Sequence, residues 1–440
     1  MKKTFANKAF LLCSIVCLVA AFGSCDKKEP LDTLITVAKP NILLIIADDV
    51  GLDATPNSAI SGQKPIMPNL LKLQQEGLQF NNLWSNPTCT PTRATILTGK
   101  YAFRTNMTSV GDELATSETS LQQLLQSKNT GYSTAVIGKW HLSNDANHPM
   151  SMGVGHYEGL LSGTVQSYTN WSYTKDGQTT TSTDYITTKF SDAAIDWLDQ
   201  QTTPWFLWLA YTAPHTPFHL PPSYLHTQTG LVDDASAIAA NPLPYYLAAL
   251  EAMDTEMGRV IASMSESEKE NTIIIFIGDN GSPNQVAQTY NSNRVKGTVY
   301  QGGVNVPMVI AGKGVGRLNE TEDALINTTD LFATIANLAG IDSVTIHDSQ
   351  NFANLLTNAS NPSRKYTYAE IGSTTGSGDY TIRNATHKYI RFEDGSESLF
   401  DLIANPLERP DLLQANQLPL NAMDSAAKAE LLMQLTAIGK

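Results

Sequence analysis

Asn41-Ile42-Leu43-Leu44-Ile45-Ile46-Ala47-Asp48-Asp49 is an apolar run that stops on two acids. Seven residues without polar alternation read as a strand covered on both faces, the kind found inside a parallel sheet. The pattern recurs three times. Residues 272–277 end in Gly278-Asp279-Asn280-Gly281, residues 133–137 in Gly138-Lys139-Trp140-His141, and residues 205–211 in Thr212-Ala213-Pro214-His215. Helical stretches at 67–76, 117–127, 184–200 and 243–264 lie between these runs. Phe190, Ala194, Trp197 and Leu198 in the third follow helical spacing. Strands alternating with helices predict an α/β fold with a large mixed, mostly parallel sheet sandwiched by helices. In such sheets a site forms beyond the carboxyl ends of the strands, where these four runs place their polar residues.

Outside that frame the texture changes. Residues 143–184 are rich in Gly, Ser, Thr and Tyr without clear periodicity, which predicts a loop region able to wall a pocket. Residues 215–241 are also irregular. After about Ser363, short strand candidates at 366–370, 380–383, 387–392 and 398–402 follow one another, with turn residues such as Asp394-Gly395 between them. A helix is expected from about 420 to 438. These features predict a smaller C-terminal α+β part, 364–440, with an antiparallel sheet, after a catalytic region at 39–363.

The N-terminus reads as an export signal. Lys2, Lys3 and Lys8 precede an apolar run from 9 to 22, too short and wrongly flanked for a membrane span. Phe22-Gly23-Ser24-Cys25 is similar to a bacterial lipobox, with Phe22 in place of the usual Leu. This predicts a signal peptide at 1–24, a lipidated Cys25 and a polar tether at 25–38, hence an exported lipoprotein, periplasmic or at the cell surface. Plain secretion with cleavage near Ala21 is the alternative. The formal net charge is −13, and −16 without the three leader lysines. Such a chain has no general electrostatic reason to bind nucleic acid or an anionic membrane.

The four cysteines are Cys13, Cys17, Cys25 and Cys89. Only Cys89 remains in the mature domain. A lone thiol in an exported protein cannot form an internal disulfide and calls for a chemical explanation. Its surroundings, Cys89-Thr90-Pro91-Thr92-Arg93-Ala94-Thr95-Ile96-Leu97-Thr98-Gly99, read as a loop feeding a helix, with Pro91 in the first turn and Gly99 as a left-handed stop. Cys89 at the helix N-terminus is expected to be acidified, with Arg93 one turn on reaching the same anion. A buried structural cysteine before an ordinary helix fits the same eleven residues. Asp48, Asp49, Asp279 and Asn280 are oxygen donors suited to a hard cation, or, more plainly, to turn capping. Lys139, His141, His215 and Lys296 complete the candidate site. Lys296 opens a Gly-rich stretch, 296–303, expected to loop back under it.

The Cys89–Gly99 stretch resembles the signature of type I sulfatases, in which the Cys of Cys-x-Pro-x-Arg is oxidised to formylglycine; Thr92 stands where Ser is common. The resemblance to the arylsulfatase branch of the alkaline phosphatase superfamily extends from about Lys39 to Leu412. It includes Pro40-Asn41, Pro68-Asn69-Leu70, Glu76-Gly77, Pro214-His215-Thr216-Pro217, Lys296-Gly297, Gly302-Gly303 with Pro307, Leu399-Phe400-Asp401-Leu402 and Asn405-Pro406. Gln301 and Asn305 depart from it, standing where Glu and Arg are usual.

The resemblance implies an alkaline phosphatase-like fold and a sulfuric ester hydrolase acting on a sulfated carbohydrate or aryl sulfate. Asp48, Asp49, Asp279, Asn280 and the modified residue 89 would hold one Ca²⁺ in preference to Mg²⁺. Hydrated formylglycine would attack sulfur, helped by Arg93; Lys139 and Lys296 would neutralise sulfate oxygens. His215 with Lys296 would protonate the leaving oxygen, and His141 would take the proton that restores the aldehyde. A formylglycine-generating maturation enzyme is an implied partner, and a lipid anchor the only implied membrane contact. A phosphoester or phosphonate hydrolase on the same fold, or a sulfated-glycan-binding lipoprotein with unconverted Cys89, are the alternatives. Ser162, Tyr168, Trp171, His219 and Arg294 are candidate pocket residues.

Overall fold

Asn41–Ala47 (β1) is buried at every residue, as its unbroken apolar run requires. In the computed structural model, residues 39–342, 346, 348–359, 364–372 and 378–440 are described. The expected signal peptide, Cys25 and tether lie outside the described residues, as does Ser363. After β1 the strands of the main sheet are β2 (Gly77–Trp84), β3 (Ser133–Lys139), β4 (His156–Leu160), β5 (Trp171–Lys175), β6 (Gln178–Ser182), β7 (Trp205–Ala210), β8 (Thr272–Gly278), β9 (Asn305–Gly312), β10 (Glu320–Glu322) and β11 (Ile326–Asn327). Their order is β10-β2-β9-β8-β1-β7-β3-β4-β5-β6, with β11 beside β2. The five central strands, β8-β1-β7-β3-β4, run parallel, and β9 and β5 flank them antiparallel.

Alternation along β1 builds both layers. Ile42, Leu44 and Ile46 point into one core with Ile96, Leu97, Phe332 and Ile335 from the helices Cys89–Thr98 and Asp330–Leu338. Leu43, Ile45 and Ala47 point into the other, against Leu70, Phe190 and Met253 from Pro68–Gln75, Ile186–Leu198 and Leu243–Ser263. Each buried Leu or Ile contributes about 1.5–3 kcal/mol.

Several strands escape the sequence pattern, β2 and β9 among them. In β2, the register shifts between Phe80 and Leu83, so the period of two breaks in mid-strand. In β9, antiparallel pairing with β2 and β8 places an apolar run where no helix follows it. The expected loop at 143–184 instead holds β4, β5 and β6. Asp176 (φ 42°) and Gly177 (φ 83°) make the two-residue turn of the β5–β6 hairpin, an Asp-Gly signal passed over in the sequence.

The tail follows expectation. β12 (Thr367–Ile371), β13 (Asp379–Arg383), β14 (His387–Arg391) and β15 (Glu397–Asp401) form a four-stranded antiparallel meander, and the helix Ala422–Ile438 lies against it through Leu431 and Leu435. Glu370 N donates to Asn86 Oδ1, tying this sheet to the segment that leads into Cys89.

Candidate active site

Sheet register decides which side chains meet. Ala47 pairs with Gly278, and Ile46 and Gly138 both pair with Ala210. Asp48, Asp279, Lys139 and the turn to His215 therefore leave neighbouring strands at one level. Backbone bonds continue the alignment: Asp279 N donates to Ala47 O and Asp48 N to Ala213 O. Gly138 has φ 114°, and a Cβ there would lie 1.9 Å from Ala210 O, so only glycine lets β3 and β7 close up at this point. Asp49 (φ 72°) and His141 (φ 56°) are non-glycine residues in the left-handed region. Such backbone costs about 1–3 kcal/mol each and concentrates at functional sites.

The helix Cys89–Thr98 starts at Cys89 and stops at Gly99, whose φ of 68° supplies the left-handed cap. Cys89 is 1% exposed and Arg93 is wholly buried one turn on. Arg93 donates from Nε (3.2 Å) and NH2 (2.8 Å) to Asp279 Oδ2 and from NH1 to Lys139 O (2.6 Å). Cys89 Sγ lies 3.1 Å from His141 Nδ1 and 3.6 Å from Lys139 Nζ. Lys139 Nζ donates to Asp48 Oδ2 at 2.5 Å. On the other side, Lys296 Nζ reaches Asp49 Oδ1 (2.6 Å) and Oδ2 (2.7 Å), and Asn280 Nδ2 donates to Asp49 Oδ1 (2.7 Å). His215 Nδ1 faces its neighbour's carbonyl, Thr216 O, at 2.6 Å, so Nδ1 carries the proton and Nε2 is left 3.8 Å from Asp49 Oδ2.

Every candidate named for catalysis or metal binding thus comes together: three acids, one amide, three cations, two imidazoles and the thiol. Burial raises the Asp48 carboxyl, but Lys139, followed by His215, Arg93 and Lys296, overcomes it and holds the group well below the usual carboxylate range. Asp279 is pushed up to about 7 by burial and by the charge of Asp48. Burial opposes the charge on Lys139 and Lys296; Asp48 and Asp49 respectively win and hold both above the usual lysine value. Burial holds both imidazoles neutral, His141 down to about 2. The thiol corrects an expectation. Burial, assisted by Asp48 and Asp279, raises Cys89 above its ordinary value despite Lys139. The helix N-terminus does not outweigh the loss of water at a 1% exposed sulfur.

The donor set fits a hard cation. Asp48 Oδ1 and Asn280 Oδ1 are buried acceptors without a hydrogen-bond partner. Ligand atoms of Asp48, Cys89 and Asp279 lie within 4.8 Å of one another, as do those of Asp48, Asp49 and His215. Unpaired buried oxygens of this kind are costly unless a proton or a metal ion meets them. The model match described as Sulfatase covers residues 40–341, and so takes in all of these side chains.

The chain belongs to the sulfatase family. Among its relatives, arylsulfatase G of Rattus norvegicus is 28% identical over 362 residues, covering 69% of this chain and 65% of that protein. The uncharacterized sulfatase YdeN of Escherichia coli is 28% identical, covering 70% and 63%. The matched part is thus just under two thirds of the length of these two relatives. The arylsulfatase of Klebsiella aerogenes is 24% identical, covering 69% of this chain and 87% of the enzyme. The fold matches that of Ps i-CgsB, solved in complex with k-i-k-neocarrahexaose, with TM-score 0.76 and 23% identity over 91% of this chain and 94% of that one.

Around this centre, several positioning groups carry no sequence signal. Tyr246 Oη donates to Asp49 O at 2.8 Å from a helix whose spacing reads simply as core. Ser282 Oγ accepts from Gly51 N at 3.1 Å and donates to Asp53 Oδ1 at 3.0 Å. The loop carrying Lys296 is pinned at both sides: Lys296 N donates to Ser282 O and Gly297 N to Pro87 O. The 143–184 region reaches the site through Gly163, where a Cβ would lie 1.8 Å from His141 Nε2.

The pocket candidates fare differently. Tyr168 is buried and donates from its hydroxyl to Thr212 O and His215 O, so it supports the His215 turn rather than lining a pocket. Trp171 is a core residue that donates to Asp184 O. His219 stacks on Tyr168 with centroids 3.7 Å apart. Arg294 lies over Tyr300 and donates to Glu408 O, bracing the tail. Ser162 Oγ accepts from Thr164 N within its own loop. The cavity of about 530 Å³ beside the centre is floored by Asp49 and Lys296 and walled by Thr88, Thr216, Asn284, Gln285, Ser292 and Asn293.

Proposed function

We propose that this protein hydrolyses sulfate esters, using a formylglycine made from Cys89 and one Ca²⁺ held by Asp48, Asp49, Asp279, Asn280 and residue 89. The observation that carries the reading is the convergence of the sole mature thiol with the acids: Cys89 Sγ and carboxylate oxygens of Asp48 and Asp279 fall within 4.8 Å of one another. When bound, the divalent ion supplies positive charge that lowers the cost of ionising a nearby hydroxyl. Formylglycine supplies, through its hydrate, an oxygen nucleophile that can be restored without water attacking sulfur.

The chain's own groups supply the rest. Asp48, Asp49 and Asp279 balance Arg93, Lys139 and Lys296, so a divalent ion leaves the centre at +2, matched to an anionic ester. Lys139 and Lys296 sit on opposite sides of the acids and offset charge on sulfate oxygens as the S–O bond breaks. Arg93 fixes Asp279 through two donors and cannot itself lose its proton. His215, with its Nδ1 proton committed to Thr216 O, offers Nε2 to the leaving oxygen. His141, 3.1 Å from the residue 89 side chain, is placed to take a proton from it.

The substrate class is a sulfated saccharide. This is supported by relatives described as N-acetylgalactosamine-6-sulfatase and by structural neighbours solved with carbohydrate, including BT4656 with its substrate D-glucosamine-2-N,6-O-disulfate. Export as a lipoprotein through Cys25 and maturation by a formylglycine-generating enzyme belong to the same proposal and are supported by the leader and the Cys89 signature.

The test compares wild type, produced with a maturation enzyme, and Cys89→Ala on an aryl sulfate and the matched aryl phosphate. Sulfate release by wild type, faster than phosphate release and reduced to background in the variant, is the expected result. Turnover unchanged by Cys89→Ala would remove the mechanism, and a preference for phosphate would remove the substrate class.

A further inference from the structure

The cavity beside the centre has an unusual electrical character for a protein that handles anions. Among the described residues its lining includes one cation, Lys296, and that ammonium is already held by both oxygens of Asp49. Apart from Pro283 and Gly297, the remaining wall is hydroxyl and amide. Asn284 and Gln285 follow the Asp279 strand end, and Ser292 and Asn293 precede Lys296; all four are exposed to the cavity mouth. Thr88 and Thr216 complete it from the Cys89 and His215 segments. Thr88 Oγ1 is buried without a partner. Amides and hydroxyls pair well with the hydroxyls of a neutral sugar ring, each acting as donor or acceptor. They offer no charge to a second sulfate or a carboxylate. Such a group would lose water against a neutral wall without gaining a counter-ion. The whole chain, at −13, adds a repulsive field to that loss.

We infer that the substrate is a saccharide whose reacting ring bears a single sulfate and is otherwise neutral, and that Asn284, Gln285, Ser292 and Asn293 set this preference. This rests on the sulfatase reading and narrows it. The positive charge of the centre is spent on the one ester being cleaved, and the wall selects rings with free hydroxyls around it. Heavily sulfated or uronate-bearing rings fall outside this class.

The experiment uses the matured full chain and a panel of short galactose- and glucosamine-based saccharides sulfated at one position in turn. Each is paired with a counterpart bearing a second sulfate or a carboxylate on the same ring. The expected result is a kcat/KM at least about tenfold higher for the singly charged member of the best pair. In Asn293→Lys the ratio moves severalfold toward the doubly charged member, because a cation now faces the added anion. A wild-type ratio of one or below overturns the inference while leaving the sulfatase reading intact. An unchanged ratio in both Asn293→Lys and Gln285→Lys overturns the assignment of the wall. Absence of sulfate release from the whole panel and from an aryl sulfate sinks the sulfatase reading itself, a result of a different kind.

Discussion

His215 is the residue whose role leaves the sharpest kinetic mark. Its Nδ1 proton is fixed on Thr216 O, so Nε2 alone can exchange a proton with a substrate. A group that protonates a leaving oxygen matters most when that oxygen is a poor leaving group. His215→Ala is therefore expected to lower kcat by about 10²–10⁴ on a sugar or alkyl sulfate. On a nitrophenyl sulfate, whose phenolate leaves unaided, the loss is expected to be far smaller. Rates on the two ester types measure the difference, and equal losses would assign His215 to structure. At this scale the sequence was eloquent about Asp48, Asp49, Asp279, Lys139, His141 and His215, because each follows an apolar run that would be pointless on a surface; Arg93 and Lys296 were legible from the Cys89 stretch and the Gly-rich stretch instead. It was silent about Tyr246 and Ser282. Both act through bonds to backbone or to another side chain, and a tyrosine on a buried helix face looks the same whether or not its hydroxyl holds Asp49 in place.

Between elements, one buried ion pair links the tail sheet to the site. Lys388 on β14 donates to Glu408 Oε1 at 2.6 Å, over the Trp84 ring. The other oxygen, Glu408 Oε2, accepts from Gln301 N, and Glu408 O accepts from Arg294. Gln301 and Arg294 bracket the segment that bears Lys296. Glu408→Gln leaves the Lys388 ammonium buried without its anion, and breaking a pair of this kind costs about 3–5 kcal/mol. Chemical denaturation is expected to show that loss, together with a fall in kcat as the 294–301 segment loosens around Lys296. A variant of native stability would show that the pair is not structural. Gln301 and Asn305, the two departures from the family pattern, each keep one buried amide oxygen without a partner and line one cavity with Asn81 and Arg383. The tail strands were legible because polar turns separate them. The link through Glu408 was not, because its partners are 20 and 107 residues away.

For the molecule as a whole, acid is a predictable weakness. His219 is lowered to about 4 by burial, with the Pro217 carbonyl opposing, and burial also lowers His141 and His215. In the unfolded chain each imidazole takes a proton near pH 6.5. Between that value and the folded one, the unfolded state binds more protons. The contribution to stability is thus complete above about pH 6.5 and falls as pH drops toward 4. Each such group adds a slope of at most about 1.4 kcal/mol per pH unit. His219→Gln, neutral at every pH, is expected to flatten the pH dependence of the denaturation midpoint over this window. An unaltered slope would show that His219 titrates alike in both states. Four of the five central parallel strands, β8, β1, β7 and β3, were readable from composition alone, since burial on two faces leaves no room for polar residues; β4, which carries His156 and Glu158, was not. The antiparallel flanks were not: the bulge in β2 answers to β9, more than 200 residues away, and the β5–β6 hairpin is built of Thr and Ser with no apolar alternation, so that its Asp-Gly turn was its one local signal.

Cys89 is 1% exposed, sits in the first turn of a buried helix and is closed over by His141, itself packed under Gly163. No second protein can grip a side chain so enclosed. The proposed oxidation of Cys89 therefore requires an enzyme that meets the segment as an extended peptide, before the sheet assembles around it. Under the proposed conversion, maturation and folding are a race with a fixed order: a chain that closes first is locked as the thiol form, and supplying a modifying enzyme afterwards comes too late.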